Sequence, residues 1–296
     1  MNEKLYIASL SNPRVKDTVR LRQRSHRDER NLMLIEGYRE LKRALDNGYR
    51  PQTLFTCREL FLGLHEDRLI QRVLEAGGEH VECSAQVFGK MSARDRPDGL
   101  LATGPQIRKS LSDLKLRENA LVIVAEAIEK PGNLGTILRS ADAAGVDAVI
   151  VCDHCTDINN PNVVRASIGT LFSLPVVEDT TPNVIRFLHE RGFQTLAATP
   201  HADALYTDPT LTGPTAICVG SEQYGLSDTW LRSATTKVRI PMLGQCDSLN
   251  VAAATTILLF EAQRQRVALD PSCVPAPHVH EAHDADTPPA CLTTKG

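Results

Sequence analysis

Aromatic side chains are scarce in this 296-residue chain, at 4% with a single tryptophan, which excludes a binding surface built mainly from stacked rings. The eight cysteines, Cys57, Cys83, Cys152, Cys155, Cys218, Cys246, Cys273 and Cys291, are too dispersed for the disulfide framework of a small secreted domain. The amino terminus, Met1-Asn2-Glu3-Lys4-Leu5-Tyr6, does not read as a secretory signal. No stretch approaches the roughly 20 apolar residues of a membrane span. A reduced, cytoplasmic protein without a membrane partner is the expectation.

Several catalytic devices are also missing. No Gly-x-Gly-x-x-Gly follows the first strand of the second half and no Gly-x4-Gly-Lys-Ser/Thr occurs, so dinucleotide and P-loop sites lack their usual loops. None of Ser167, Ser221 or Ser248 stands in Gly-x-Ser-x-Gly, which argues against a hydrolase elbow. Cys152-Asp153-His154-Cys155 has redox or zinc spacing, but no second ligand pair accompanies it. No metal site is expected.

What is present is ordinary globular material, 42% hydrophobic and 23% charged, in a length that predicts about two domains. The net charge of −3 is unevenly spread, because residues 1–50 hold 12 Lys+Arg against 7 Asp+Glu. Arg14, Lys16, Arg20, Arg22, Arg24, Arg27 and Arg30 form a basic segment that by itself reads as a solvated charged helix. Helical spacing over 35–45 ends near Gly48, and short apolar runs at 53–56 and 99–102 flank a second helical pattern at 67–76. Residues 1–106 therefore predict a small α/β domain. A polar stretch at 107–119 predicts a linker.

From 120 to 268 the alternation is stronger. Apolar runs at 121–124, 148–151, 176–177, 195–198, 216–219 and 238–240 interleave with helical patterns at 134–144, 162–171, 183–191 and 249–266. Continuous apolar strands imply a parallel sheet covered on both faces, and ligands on such sheets gather at the carboxyl ends of the strands. Residues 269–296, with five prolines and His278, His280 and His283, predict a disordered tail.

Three segments beyond strand ends look unlike scaffold. The first is Lys130-Pro131-Gly132-Asn133-Leu134-Gly135-Thr136-Ile137-Leu138-Arg139, in which Asn133 suits a helix N-cap and Arg139 a surface charge. The second is Gly220-Ser221-Glu222-Gln223-Tyr224-Gly225-Leu226-Ser227, where two glycines permit close backbone approach and Glu222 offers a carboxylate. The third joins Ile240-Pro241-Met242 to Ser248-Leu249-Asn250-Val251, where Ser248 or Asn250 could cap the last helix.

In order and spacing, these three segments resemble the motifs of the SpoU/TrmH-type SPOUT RNA methyltransferases, over about 120–268. Ile35-Glu36-Gly37 and Arg96-Pro97-Asp98-Gly99-Leu100 are more loosely similar to the L30e-like RNA-binding domain often fused to that family. The resemblance implies an α/β fold with a deep trefoil knot, a threading that general topology rules argue against. It implies a homodimer and S-adenosylmethionine as co-substrate, with Thr199, Gly220, Ile240, Leu249 and Asn250 at the donor. It implies methylation of a ribose 2′-OH, with Arg139, Asn133, Glu222, Ser248 and Asn250 as the catalytic group. Arg139 matches the position proposed to act on the hydroxyl. A guanidinium normally stays protonated, so orienting the phosphate or hydroxyl is the competing account.

Departures from the family pattern are small: Lys130 precedes Pro-Gly, and Ser221 stands where Asn is frequent. Beside such a domain, Arg14, Lys16, Arg20, Arg22 and Arg24 suit phosphate contacts that position RNA without reading its sequence. Ribosomal (23S-type) RNA is the expected partner. The alternatives are a tRNA 2′-O-methyltransferase, or a non-catalytic RNA-binding or assembly factor that retains the fold.

Overall fold

The computed structural model describes residues 5–273, which build two β-sheets in succession along the chain. The first comprises β1 (Leu5–Ile7), β2 (Leu32–Glu36), β3 (Thr53–Thr56), β4 (Glu79–Cys83) and β5 (Leu100–Pro105) in the order β1-β4-β3-β5-β2. It is mixed: β1, β4 and β3 run parallel, and β5 pairs antiparallel with both β3 and β2. Around it lie α1 (Pro13–Arg20), α2 (Arg24–Arg30), α3 (Tyr38–Asp46), α4 (Glu66–Glu75) and α5 (Ala85–Met91).

The run at 35–45 does not form one helix. Leu32–Glu36 is an almost wholly buried strand, Gly37 turns the chain at φ 112°, and α3 begins only at Tyr38. A positive φ of that size is open to glycine and costly for other residues, so the break falls there.

The second sheet has seven strands, all parallel, in the order β10-β12-β9-β11-β6-β7-β8. They are β6 (Leu121–Glu126), β7 (Ala148–Cys152), β8 (Val176–Asp179), β9 (Gln194–Ala198), β10 (Ala204–Leu205), β11 (Thr215–Val219) and β12 (Thr236–Arg239). The helices are α6 (Pro131–Ala143), α7 (Pro161–Ala166), α8 (Thr170–Ser173), α9 (Thr181–Glu190), α10 (Asp228–Ser233) and α11 (Val251–Leu269). Every residue of β6, β7 and β11 is buried, because helices cover both faces. Where the sequence predicts one helix over 162–171, the structure has two. Ile168 and Gly169 both take positive φ, and a Cβ on Gly169 would lie 3.0 Å from the Glu40 Cα. The break is where α3 of the first domain packs against the second.

The linker expected at 107–119 is pinned rather than free. The Ile107 N–H donates to Asn159 Oδ1 at 2.8 Å and its carbonyl accepts from Asn159 Nδ2 at 3.1 Å. Leu114 is buried and Arg117 pairs with Asp147 at 2.6 Å. Polar residues here make caps and ion pairs, which composition cannot distinguish from solvation. One cluster of buried apolar side chains runs from Met33, Ile35 and Leu41 to Ile123, Ile137 and Leu259, so the two domains share a core. Tyr49 meets Phe172 edge-on across the seam, with ring centroids 4.9 Å apart. Helix α11 runs to Leu269 and a single 3-10 turn spans Pro271–Cys273, into the stretch predicted as tail. The rest of that stretch, with His278, His280, His283 and Cys291, lies outside the described residues.

Candidate active site

Strand order explains why three distant segments meet. β6 lies between β11 and β7, β11 also pairs with β9, and β9 pairs with β12. All run parallel, so the chain leaves β6, β11, β9 and β12 side by side at one edge of the sheet. Segment one leaves β6, segment two leaves β11, Thr199 follows β9, and segment three leaves β12.

Asn133 does not cap α6. Pro131 takes the first helical position and Lys130 is the N-cap, with no side-chain cap bond. Asn133 lies in the first turn, and its Nδ2 donates to Glu222 Oε1 at 2.6 Å. Glu222 also accepts the N–H groups of Glu129 at 3.1 Å and Lys130 at 3.3 Å. The carboxylate thus sits at the positive end of α6, on the backbone N–H groups of the two residues that lead into the helix. Burial works against its charge, but the Asn133 amide and the backbone N–H groups outweigh burial and hold the carboxyl below its ordinary value. Asn250 does cap its helix, accepting the Ala252 N–H at 3.0 Å, and its Nδ2 donates to Asn133 Oδ1 at 3.1 Å. Glu222, Asn133 and Asn250 therefore form one hydrogen-bonded row from three segments.

Gly220 is fixed by crowding. A Cβ there would lie 2.1 Å from the Gly225 carbonyl carbon. Ser221 and Gly225 exchange backbone hydrogen bonds at 3.0 Å, closing the turn, and Gly225 adopts φ 70°. Beneath the turn lies a residue to which the sequence reading gave no role. Glu126, the buried last residue of β6, accepts from the Ser227 N–H and the Ser227 Oγ, both at 2.7 Å, and from Thr181 Oγ1 at 3.1 Å. Its signal was available: a lone carboxylate ending an apolar strand needs partners. Ser227 caps α10, as its position in the sequence suits.

Arg139 is exposed on α6 and has no side-chain partner among the described residues. Ser248 is likewise exposed and unpaired among them. Thr199 donates its N–H to Val238 at 3.0 Å, next to the half-buried Ile240, and Leu249 is exposed. Thr199, Ile240, Ser248 and Leu249 lie on segments that leave the same strand edge as the row, whereas Arg139 stands further along α6 than Asn133, and no hydrogen bond joins Arg139 or Ser248 to the row.

The basic segment divides. Lys16 and Arg20, one turn apart on α1, are exposed and without side-chain partners among the described residues. Arg14 pairs with Glu79 at 2.8 Å, and Arg22 donates to the Lys90 and Met91 carbonyls at 3.0 Å. Arg24 contacts Asp28 and His154. Arg27 is only 1% exposed and binds Asp157 of the second domain, so it does not belong to the solvated face. Among the described residues, no three His, Cys, Asp or Glu side chains cluster as a metal site. Burial pushes the Cys152 thiol well up, away from ligand or redox chemistry, while Cys155 is exposed.

Residues 120–260 match the SpoU rRNA Methylase family, and residues 12–102 match the MRM3-like substrate binding domain. The chain is 31% identical to the 23S rRNA (uridine(2479)-2'-O)-methyltransferase of Streptomyces viridochromogenes, over 84% of this chain and 88% of that one. The crystal structure of an RNA 2'-O ribose methyltransferase superposes with TM-score 0.77 at 41% identity, covering 89% of this chain and 100% of that one. An AdoMet-bound rRNA methyltransferase from Sinorhizobium meliloti superposes with TM-score 0.81 at 33% identity, covering 88% and 97%.

Proposed function

The chain belongs to the SpoU rRNA methylase family, and from that premise we propose that it moves a methyl group from S-adenosylmethionine to a ribose 2′-OH of large-subunit ribosomal RNA. The observation that carries this reading is the hydrogen-bonded row Glu222–Asn133–Asn250 at the strand ends, with Arg139 exposed on the helix that bears Asn133 and without a side-chain partner among the described residues. The co-substrate supplies an electrophilic methyl group whose leaving group departs as a neutral thioether, so the reaction needs neither metal nor acid. The residues present suit that donor. Ile240 and Leu249 offer apolar surface, Thr199 a hydroxyl, and the tight Gly220 turn brings backbone rather than side chain to the strand edge.

The task left to the protein is to hold a weakly nucleophilic hydroxyl in line and draw off its proton. Arg139, without a side-chain partner among the described residues, is the group we assign to the 2′-OH or its neighbouring phosphate. Glu222, kept ionised, anchors Asn133, and Asn133 with Asn250 fixes the floor of the site. Ser248 reaches the same edge from the third segment. Lys16 and Arg20, with Arg14, Arg22 and Arg24 around them, suit the RNA backbone.

In this reading residues 1–106 bind RNA, 107–119 connect and 120–268 catalyse, in the reducing cytoplasm. Cys57, Cys83, Cys152, Cys155, Cys218 and Cys246 are free thiols, in keeping with that compartment. No described helix is long and apolar enough to cross a membrane. The family's knot would run through the segment between β12 and α11. The active form would be a homodimer with α11 at the contact, where Phe260 is 50% exposed.

The test is transfer of labelled methyl from S-adenosylmethionine to total RNA and precursor ribosomal particles, wild type against Arg139→Ala, followed by nucleoside analysis. A 2′-O-methylated nucleoside in ribosomal RNA that disappears with Arg139→Ala is the expected result. Transfer confined to tRNA would overturn the substrate assignment. No transfer and no donor binding would make the chain an RNA-binding factor.

A further inference from the structure

A chain of contacts leads from the basic turn of the first domain to the catalytic row of the second. Arg27 Nη1 donates to the carbonyls of Leu21 at 3.0 Å and Arg22 at 2.9 Å, within the turn that carries Arg20, Arg22 and Arg24. Its Nη2 crosses the domain seam to Asp157 Oδ2 at 2.7 Å. The residue before Asp157 continues the path: Thr156 Oγ1 donates to the Glu129 carbonyl at 2.6 Å. The Glu129 N–H in turn donates to Glu222 at 3.1 Å, and Glu222 holds Asn133. Arg27, Thr156 and Asp157 are all buried.

Stability alone is a poor reason for this arrangement. A buried ion pair is often no more stabilising than apolar side chains of the same volume, and Arg27 Nε has no hydrogen-bond partner among the described residues. What a buried, multiply bonded guanidinium does well is fix geometry, because its planar fork admits few alternatives. Building on the methyltransferase reading above, we propose that Arg27, Asp157 and Thr156 are positioning residues for methyl transfer. They hold the phosphate-facing turn at residues 20–24 in fixed register with the Glu222–Asn133 pair. RNA seated on that turn then presents its ribose at a set distance from the reacting edge. None of the three touches substrate; each acts through the next.

The experiment compares full-length Arg27→Met, Thr156→Val and Thr156→Ser with the wild type. The readouts are kcat, KM for RNA, donor affinity by calorimetry, and hydrogen exchange of the Glu129 and Lys130 amides. In Arg27→Met and Thr156→Val, kcat should fall roughly 10- to 100-fold, since small misplacements of reacting groups are expensive. KM for RNA and donor affinity should stay within about 3-fold, as interactions confined to the transition state require. Both variants should exchange the two amides faster than wild type, and Thr156→Ser, which keeps the hydroxyl, should restore rate and protection. An unchanged kcat in folded Thr156→Val overturns the proposal, as does a rise in KM alone or unaltered exchange at Glu129 and Lys130. If Arg27→Met fails to fold, Thr156→Val decides by the same criteria. A wild type that methylates no RNA overturns the transferase reading. Amide exchange then still decides whether the seam governs the row: faster exchange upholds the positioning chain, and unchanged exchange rejects it.

Discussion

Glu222 shows what a single residue contributes here and how its effect can be read. Its carboxyl is held below the ordinary value of 4.5, against the cost of burial, by the Asn133 amide and backbone N–H groups. A depressed carboxyl stabilises the fold fully above its unfolded pKa, and the contribution disappears as pH falls through the folded value. The stability difference between wild type and Glu222→Gln should therefore be constant from about pH 7 down to the ordinary carboxylate range and shrink below it, as denaturant titrations at each pH will show. Arg139→Ala should leave that stability within about 0.5 kcal/mol, because the side chain is exposed and has no partner among the described residues, while abolishing methyl transfer. A concurrent loss of several kcal/mol would mark Arg139 as structural. The three segments that bring Glu222, Asn133 and Asn250 together were legible in the sequence, but the bonding among these residues was not. Asn133 looked like a cap because Asn before a helical pattern usually is one; Pro131 starts the helix two residues earlier and frees the amide for Glu222. Glu126 and Thr156 escaped because their partners lie elsewhere in the chain, at Ser227 and Glu129.

Among the elements, α6 carries the greatest constraint. It packs on α7 so closely that a Cβ on Gly135 would come within 2.4 Å of the Ala166 Cβ and 2.9 Å of the Ser167 N. On its other side Ser140 and Thr256 share a hydrogen bond at 2.7 Å, and Gln263 of α11 reaches the Ala144 carbonyl. Gly135→Ala should cost about 1–3 kcal/mol, the usual effect of overpacking, even though alanine is the better helix former. Chemical denaturation measures this, and a neutral or stabilising result would mean that α6 and α7 can move apart freely. Strand assignments in the second sheet were readable because continuous apolar runs leave little choice. The break at Ile168–Gly169 was not, since its cause is Glu40 on a helix from the other domain. The same limit applies to the run at 35–45, which mixes the last residues of a strand with the first turns of a helix.

For the whole molecule, the shared core predicts joint unfolding. Trp230, the only tryptophan, is fully buried under the second sheet and reports that domain, while far-UV circular dichroism reports both. With Met33 and Leu41 in one apolar cluster with Ile123 and Leu259, the two signals should trace one urea transition. Separated midpoints would show that the seam at Arg27–Asp157 and Tyr49–Phe172 does not couple the domains. Composition divided the chain into its two sheets, yet it could not reveal the seam, whose partners are separated by 130 residues in the case of Arg27 and Asp157. One stretch stands outside this mutual support. Between β12 and α11 the chain is exposed from Leu243, at 98%, through Asn250, and ends in Leu249 and Asn250, which we propose to face the donor. A protease added to the native protein should nick there before it reaches the sheets. Saturating S-adenosylmethionine should slow that cleavage, which makes digestion time a simple reporter of donor occupancy without any RNA present.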